Sequence, residues 1–195
     1  MSKPFSQACE NNKIPILSIL KPHLEHYNYV LEIGSGTGQH GVYFAESMPH
    51  IVWQTSDRLC NHKGIEAWVA DSSASNVRKP LNLDLNQPWP VGQVPVIYTA
   101  NTLHIVSQVL VEKLFSGVAQ HLAHDGLLCI YGPFNYGGEY TSQSNAAFDS
   151  FLKTQDQHSG IRDVEWIFSL AQQAGLRLLH DYQMPANNRL LLFKR

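Results

Sequence analysis

The sequence predicts an α/β protein built on a doubly wound sheet of about seven strands with an antiparallel C-terminal hairpin. Three observations carry that expectation. Short runs rich in β-branched and aromatic residues alternate with stretches whose apolar residues recur every three or four positions, the pattern of strands and covering helices. The run Tyr29 to Ile33 feeds directly into Gly34-Ser35-Gly36-Thr37-Gly38, so a glycine-rich turn joins a buried strand to a helix. The last two strand-like runs, 177–184 and 189–194, are joined by Pro185-Ala186-Asn187-Asn188, a connection that allows only an antiparallel pair.

Taken in order, residues 11–27 place Ile14, Leu17, Leu20 and Leu24 at helical spacing, with Pro15 tolerated near the start and Pro22 expected to kink or shorten the helix. The polar segment within residues 1–12 is either a lid over a ligand crevice or a frayed end. After the glycine turn, 39–47 continues as helix until Pro49 stops it. Residues 51–57 form a second strand ending in Asp57, 64–69 a short helix, and 81–85 a third strand with Asp84 at its tip. Gln87-Pro88-Trp89-Pro90 is a turn that cannot extend a central strand. The fourth strand, 94–100, delivers Asn101-Thr102-Leu103-His104; in an open α/β sheet, ligands collect beyond such carboxyl ends. A capping role for Asn101 at the next helix is the competing reading.

Residues 109–123 are a well-patterned helix closed by Gly126, and 127–131 the fifth strand. The stretch 134–160 is long for a loop in a compact domain, so it should carry its own structure. A short helix at 144–154 with Phe148, Phe151 and Leu152 makes it a candidate cap over a substrate pocket. Residues 162–174 are the last helix, ended by Gly175.

The chain has 195 residues and a formal net charge of −2, enough for one domain spanning 1–195 with a single core. Its basic residues are scattered, unlike the footprint of a nucleic-acid binder, so small-molecule or protein substrates are expected. Three cysteines without a C-x-x-C pair point to a reducing compartment, and no run approaches the 18 apolar residues of a membrane span. A cytoplasmic protein without membrane attachment is expected. The histidine pairs His23/His26 and His121/His124 have ligand-compatible spacing, but both fall at helix C-termini, where the dipole favours histidine without a metal. No metal site is expected, and oligomeric state is not legible.

The glycine turn fits two cofactor classes. Gly36-x-Gly38-x-x-Gly41 satisfies the dinucleotide spacing, and an acid after the second strand suits the ribose of either NAD or S-adenosylmethionine (SAM). The overlapping Glu32-x-Gly34-x-Gly36-x-Gly38 resembles motif I of the class I SAM-dependent methyltransferases. Together with the acid at Asp84 and the closing hairpin, the resemblance extends over nearly the whole chain and implies a Rossmann-like sheet with SAM as methyl donor and S-adenosylhomocysteine as product. Further blocks, Trp53-Gln54-Thr55-Ser56-Asp57, Tyr131-Gly132-Pro133-Phe134, Thr141-Ser142-x-Ser144-Asn145, Gly160-Ile161-Arg162-Asp163 and Pro185-Ala186-Asn187-Asn188, resemble the uncharacterised methyltransferase-like family catalogued as domain of unknown function 938.

The resemblance implies that Gly34, Ser35, Gly36 and Gly38 lie along the methionine and ribose of SAM, that Asp57 holds the ribose hydroxyls, and that Asp84 and Leu85 meet the adenine. Glu32 would brace the loop or reach the methionine ammonium through water, and Asn101 would add a polar contact. The fourth strand ends in Asn101-Thr102-Leu103-His104 and not in the Asn/Asp-Pro-Pro-Tyr/Phe tetrad, which argues against methylation of DNA-base or glutamine amino groups. His104 is the candidate general base, because an ordinary imidazole pKa of ~6.5 lies near working pH. Tyr131, Tyr136, Arg162, Asn187 and Asn188 are candidates to line the acceptor pocket, with Arg162 and Asp163 alternatively forming an ion pair or a helix start. Two rival functions remain in view: a SAM-binding scaffold or sensor without activity, and an NAD-dependent oxidoreductase, which lacks a Tyr-x-x-x-Lys pair here.

Overall fold

The computed structural model describes residues 3–195, and β1 (Tyr29–Ile33) lies at the centre of its sheet. Around it run β2 (Val52–Asp57), β3 (Val77–Asn82), β4 (Val94–Ala100), β5 (Leu122–Asn135), β7 (Arg177–Met184) and β8 (Asn188–Lys194) in the order β3-β2-β1-β4-β5-β8-β7. β1 to β5 are parallel; β8 is antiparallel to both β5 and β7. An additional two-residue strand, β6 (Arg162–Asp163), pairs with the end of β5. The connection between β7 and β8 is a 3-10 turn, Pro185–Asn187, with Ala186 and Asn187 in the left-handed region.

Alternation along the strands divides the core in two. Val30, Val96, Tyr98, Cys129, Leu190 and Leu192 face one side, packed against α1 (Gln7–His23), α2 (Gln39–Ser47) and the inner edge of α3 (Leu59–Asp71). Leu31, Ile33, Ile97, Leu128, Ile130, Leu191 and Phe193 face the other, packed against α4 (Gln108–His121) and α6 (Val164–Gln173). Helices on both faces make the sheet doubly wound, as the sequence predicts. Chain order reverses between β1 and β4, and the glycine turn and the 101–107 loop leave these two strands side by side.

Several boundaries differ from the sequence expectations, each for a physical reason. α1 starts at Gln7, because the Ser6 hydroxyl caps it by accepting from Cys9 N at 3.3 Å; residues 7–12 are therefore helix, and among the described residues 3–6 run ahead of it. α3 is longer than 64–69, since Asn61 and the Arg58 N–H anchor its start on the Asp57 carboxylate. β3 lies at 77–82 rather than 81–85, leaving Asp84 in the following loop. It is an edge strand, exposed at Arg78 and Lys79 and carrying Pro80, so it lacks the composition of a buried strand. The segment after β5 does carry its own structure: Gly137 and Gly138, both at positive φ, close a tight turn, and α5 (Gln143–Gln155) follows, capped by Ser142. β6 takes the first two residues of what periodicity read as helix, an element too short to leave a pattern.

Candidate functional site

A cleft of about 820 Å³ opens at the carboxyl ends of β1, β2 and β4, where the sheet order reverses. One wall is the glycine turn. Gly34, Gly36 and Gly38 all have positive φ (72°, 58° and 90°), and a Cβ at Gly36 would meet no protein atom within 4 Å. That side of the turn is bare main chain facing the cleft, a surface on which a ligand can lie directly. Gly34 comes close to Thr102, whose hydroxyl would sit 2.7 Å from an added Cβ, so the turn and the β4 loop are packed together. Gly41 serves packing instead: its missing Cβ lets α2 lie against Thr55, Trp53 and Glu32.

Asp57 ends β2 at the base of the cleft. Its Oδ2 accepts from Gly36 N at 2.8 Å, and its Oδ1 accepts from Arg58 N at 2.7 Å and from Asn61 Nδ2 at 2.9 Å. The carboxylate therefore ties the glycine turn to the start of α3 while its edge stays on the cleft wall. Asp84 and Leu85 line the cleft beyond it, in a loop shaped by the Asp84 side chain accepting from Asn86 N at 2.8 Å. Asn101 lines the opposite side with φ of 57°, a strained conformation for a residue with a side chain, of the kind that concentrates at functional sites. Helix capping does not explain it, because Ser107 caps α4.

Glu32 is buried at 2% exposure behind the glycine turn, where Oε2 accepts from Ser35 Oγ at 2.9 Å and from Trp53 Nε1 at 3.1 Å. Ser35 Oγ also accepts from Ser56 N. Glu32 and Ser35 thus form the internal brace of the turn. Burial pushes the Glu32 carboxyl up to about 7, with the two hydrogen bonds pulling the other way and Asp57 adding to the rise.

His104 lies at the far end of the cleft, 5% exposed, its ring edge-on to Phe148 of α5 with centroids 5.4 Å apart. The ordinary imidazole value does not apply to it. Burial, and then the Arg162 guanidinium, push it down to about 4, so the ring is neutral across the physiological range. Phe148 brings α5, within the 134–160 excursion, to the wall of the cleft. Ile105, exposed, and Val106 supply apolar surface beside His104.

The five residues proposed for the acceptor pocket are not brought to this cleft. Tyr131 points to the other face of the sheet, into the core with α1 and α2, because its position in β5 shares a side with Cys129. Tyr136 donates to Asp181 Oδ2 at 2.7 Å, with Arg189 stacked over its ring, at the hairpin edge. Asn187 ends the β7–β8 turn, where its O accepts from Asn145 of α5, and Asn188 opens β8. Arg162 is buried and donates to main-chain carbonyls, forming neither the ion pair with Asp163 nor a pocket wall.

Sequence reasoning missed other residues. Gln39 binds the N-terminal segment to the site: Oε1 accepts from Ser6 N at 2.5 Å and Nε2 donates to Glu10 Oε1 at 2.9 Å. Ser6 and Cys9 consequently reach the cleft wall. A buried glutamine at the first position of α2 was the available signal, since such a side chain must find partners. Asn61 and Arg58 carried no signal before Asp57 was seen to be their anchor.

The strand order, the hairpin edge and the cleft beside the glycine turn define a class I methyltransferase fold. Over 96% of its length the chain superimposes on an O-methyltransferase family protein from Burkholderia thailandensis (TM-score 0.85, 16% identity, 57% of that chain covered). It also superimposes on human N-acetylserotonin methyltransferase, solved in complex with SAM (TM-score 0.81, 14% identity, 97% of this chain and 53% of that one). An O-methyltransferase family 2 protein from Planctomyces limnophilus, solved with apigenin, is similar at a TM-score of 0.77 and 16% identity, covering 88% of this chain and 52% of that one. The chain thus spans little more than half the length of these solved proteins. Residues 3–195 match the family described as a protein of unknown function, DUF938, and the chain belongs to that family. Among the described residues, no helix is long and apolar enough to cross a membrane.

Proposed function

We propose that the chain is a SAM-dependent methyltransferase that moves a methyl group in line onto a small-molecule acceptor. The observation that carries this reading is the joining of a bare glycine turn, the Asp57 carboxylate and the Asp84 loop along one cleft, with a neutral buried imidazole at its end. The cofactor, when bound, supplies an already activated methyl group. The residues have the remaining tasks. Gly34, Gly36 and Gly38 expose main chain along the methionine and ribose; Asp57 accepts from the ribose hydroxyls; Asp84 and Leu85 receive the adenine, with Asn101 beside it.

The acceptor enters between His104, Ile105 and the Phe148 ring, which exclude water from the transfer path. His104 takes the proton from a hydroxyl acceptor as the new bond forms. The ring is neutral at working pH and so free to accept, but a value pushed down to about 4 makes it a weaker base than an ordinary imidazole. Residues 3–6, held by Gln39, form a strap beside the cofactor end, which supports the lid reading for the start of the chain.

Thermal unfolding with SAM, S-adenosylhomocysteine or NAD tests the cofactor. At 100-fold excess over Kd, binding adds ~2.7 kcal/mol, a rise of roughly 5–10 °C for a domain of this size. A shift with the two SAM-type ligands alone is expected. A shift with NAD alone would overturn the reading in favour of an oxidoreductase, and binding of SAM without turnover on a broad panel of hydroxylated aromatics would favour the sensor.

A further inference from the structure

Residues 101–107 leave the end of β4 without joining a sheet or helix, yet they hold the imidazole on which the proposed chemistry turns. Two of their N–H groups turn inward, Ile105 N and Val106 N both donating to Thr102 O. The carbonyls of 103–106 are satisfied from elsewhere. Arg162 Nε donates to Leu103 O at 3.0 Å, Gly160 N to His104 O at 2.9 Å, Ser159 Oγ to Ile105 O at 2.5 Å, and Arg162 Nη2 to Val106 O at 2.5 Å. Four consecutive main-chain oxygens are thus received by donors within 159–162. Arg162 Nη2 also donates to His158 O at 2.8 Å, which closes the donor segment on itself.

We propose that Arg162, with Ser159 and Gly160, is the positioning element of the acceptor site: it clamps the 103–106 loop and so fixes the His104 ring at the end of the cleft. The inference rests on the reading of His104 as proton acceptor. A buried guanidinium, 7% exposed, would ordinarily be paired with a carboxylate; here its planar fork is spent on carbonyls, a task that needs the directions of several N–H bonds at once. The clamp is joined to the cap. Asp149 of α5, buried, accepts from Ile161 N at 2.6 Å and from Lys153 and Tyr140, so α5 is tied to the clamp. Phe148, one residue earlier, touches the His104 ring. An acceptor that seats α5 would therefore also set the imidazole.

The clamp acts on His104 by geometry and by charge. The charged and titratable groups on the elements packed around the ring are Arg162, the Asp149–Lys153 pair of α5, and Asp156 and His158 in the turn that follows. Substitution can separate the two effects. Arg162→Lys keeps the charge but loses the fork; Arg162→Gln loses both; Ser159→Ala removes one bond and leaves the arginine in place.

The experiment is an NMR titration of the histidine rings with amide hydrogen exchange at Ile105, Val106 and Gly160, on the full chain. In Arg162→Gln the His104 midpoint is expected to rise towards the ordinary value while His40, buried on the opposite face, stays put. In Arg162→Lys the midpoint should stay low, while exchange at Gly160 accelerates about tenfold or more. Ser159→Ala should accelerate exchange locally by several-fold with SAM affinity unchanged. Folded Arg162→Gln and Ser159→Ala proteins with wild-type exchange at Gly160 and a wild-type His104 midpoint would overturn the proposal; if Arg162→Gln does not fold, Ser159→Ala decides. SAM affinity of the wild-type chain is measured alongside by calorimetry. Its absence would refute the proposed function while leaving the NMR outcome to judge the clamp separately.

Discussion

Replacing Glu32 by glutamine should remove a pH-dependent burden from the folded protein. The wild-type carboxyl is buried behind the glycine turn, and burial lifts it from 4.5 to about 7. Between those values the folded state holds a proton that the unfolded chain has released, so the contribution of Glu32 to stability falls as pH rises and levels off once both states are ionised. A gap of about 2.5 pH units corresponds to about 3 kcal/mol at 1.36 kcal/mol per unit. Glutamine cannot ionise and keeps an oxygen to accept from Trp53 Nε1 or Ser35 Oγ. The assay is urea unfolding of both proteins from pH 5 to pH 8. His40 and His104, both pushed down to about 4 by burial, add the opposite slope at acid pH, but equally in the two proteins, so the difference between the curves isolates Glu32. Near pH 5 the two should be similar; by pH 8 the variant should have gained about 3 kcal/mol relative to the wild type. Parallel curves over the whole range would refute the reasoning and mean that Glu32 is ionised in the native state.

Asp57→Ala should weaken SAM about 100-fold or more by calorimetry, since two charge-assisted bonds at roughly 1.5–3 kcal/mol each are removed, and a folded variant with unchanged affinity would sink the ribose assignment. His104→Ala should lower turnover far more than SAM affinity; equal loss of both would make it a cofactor contact. Gly117→Ala would drive a Cβ to 2.2 Å from the Trp89 ring, so α4 or the tryptophan must shift, at about 1–3 kcal/mol in chemical denaturation. A neutral result there would show that the 87–90 turn packs loosely on α4.

Legibility in the sequence followed the range of the interaction. β1, the glycine turn, α2 and β4 were readable because a buried parallel strand is apolar throughout and a turn with positive φ needs glycine at fixed places. The closing hairpin was readable because a short connection leaves a single geometry. Asp57 could be placed on the cleft because strand ends project to one side of the sheet, and Asp84 because its loop follows directly on such an end. β3 was misplaced because an edge strand needs no apolar composition, and β6 was invisible because two residues have no period.

The surroundings of His104 depended on contacts across the chain. Tyr131 looked available beside a strand end, but pairing of β5 with β4 and β8 turns its ring into the α1–α2 core. Arg162 looked like a pocket cation, but the path from α5 back to the sheet passes under residues 103–106, whose carbonyls needed donors. The value of His104 as a base was equally undetermined, since burial and a guanidinium 58 positions away in the chain set its proton affinity. The sequence by itself determined the central strands, the glycine turn and the acids along the cleft, because each follows from neighbours a few residues apart. Only the tertiary structure decided which side chains meet at the His104 end of the cleft and what charge they carry there, because desolvation and carbonyl satisfaction depend on segments that come together only when the sheet is complete.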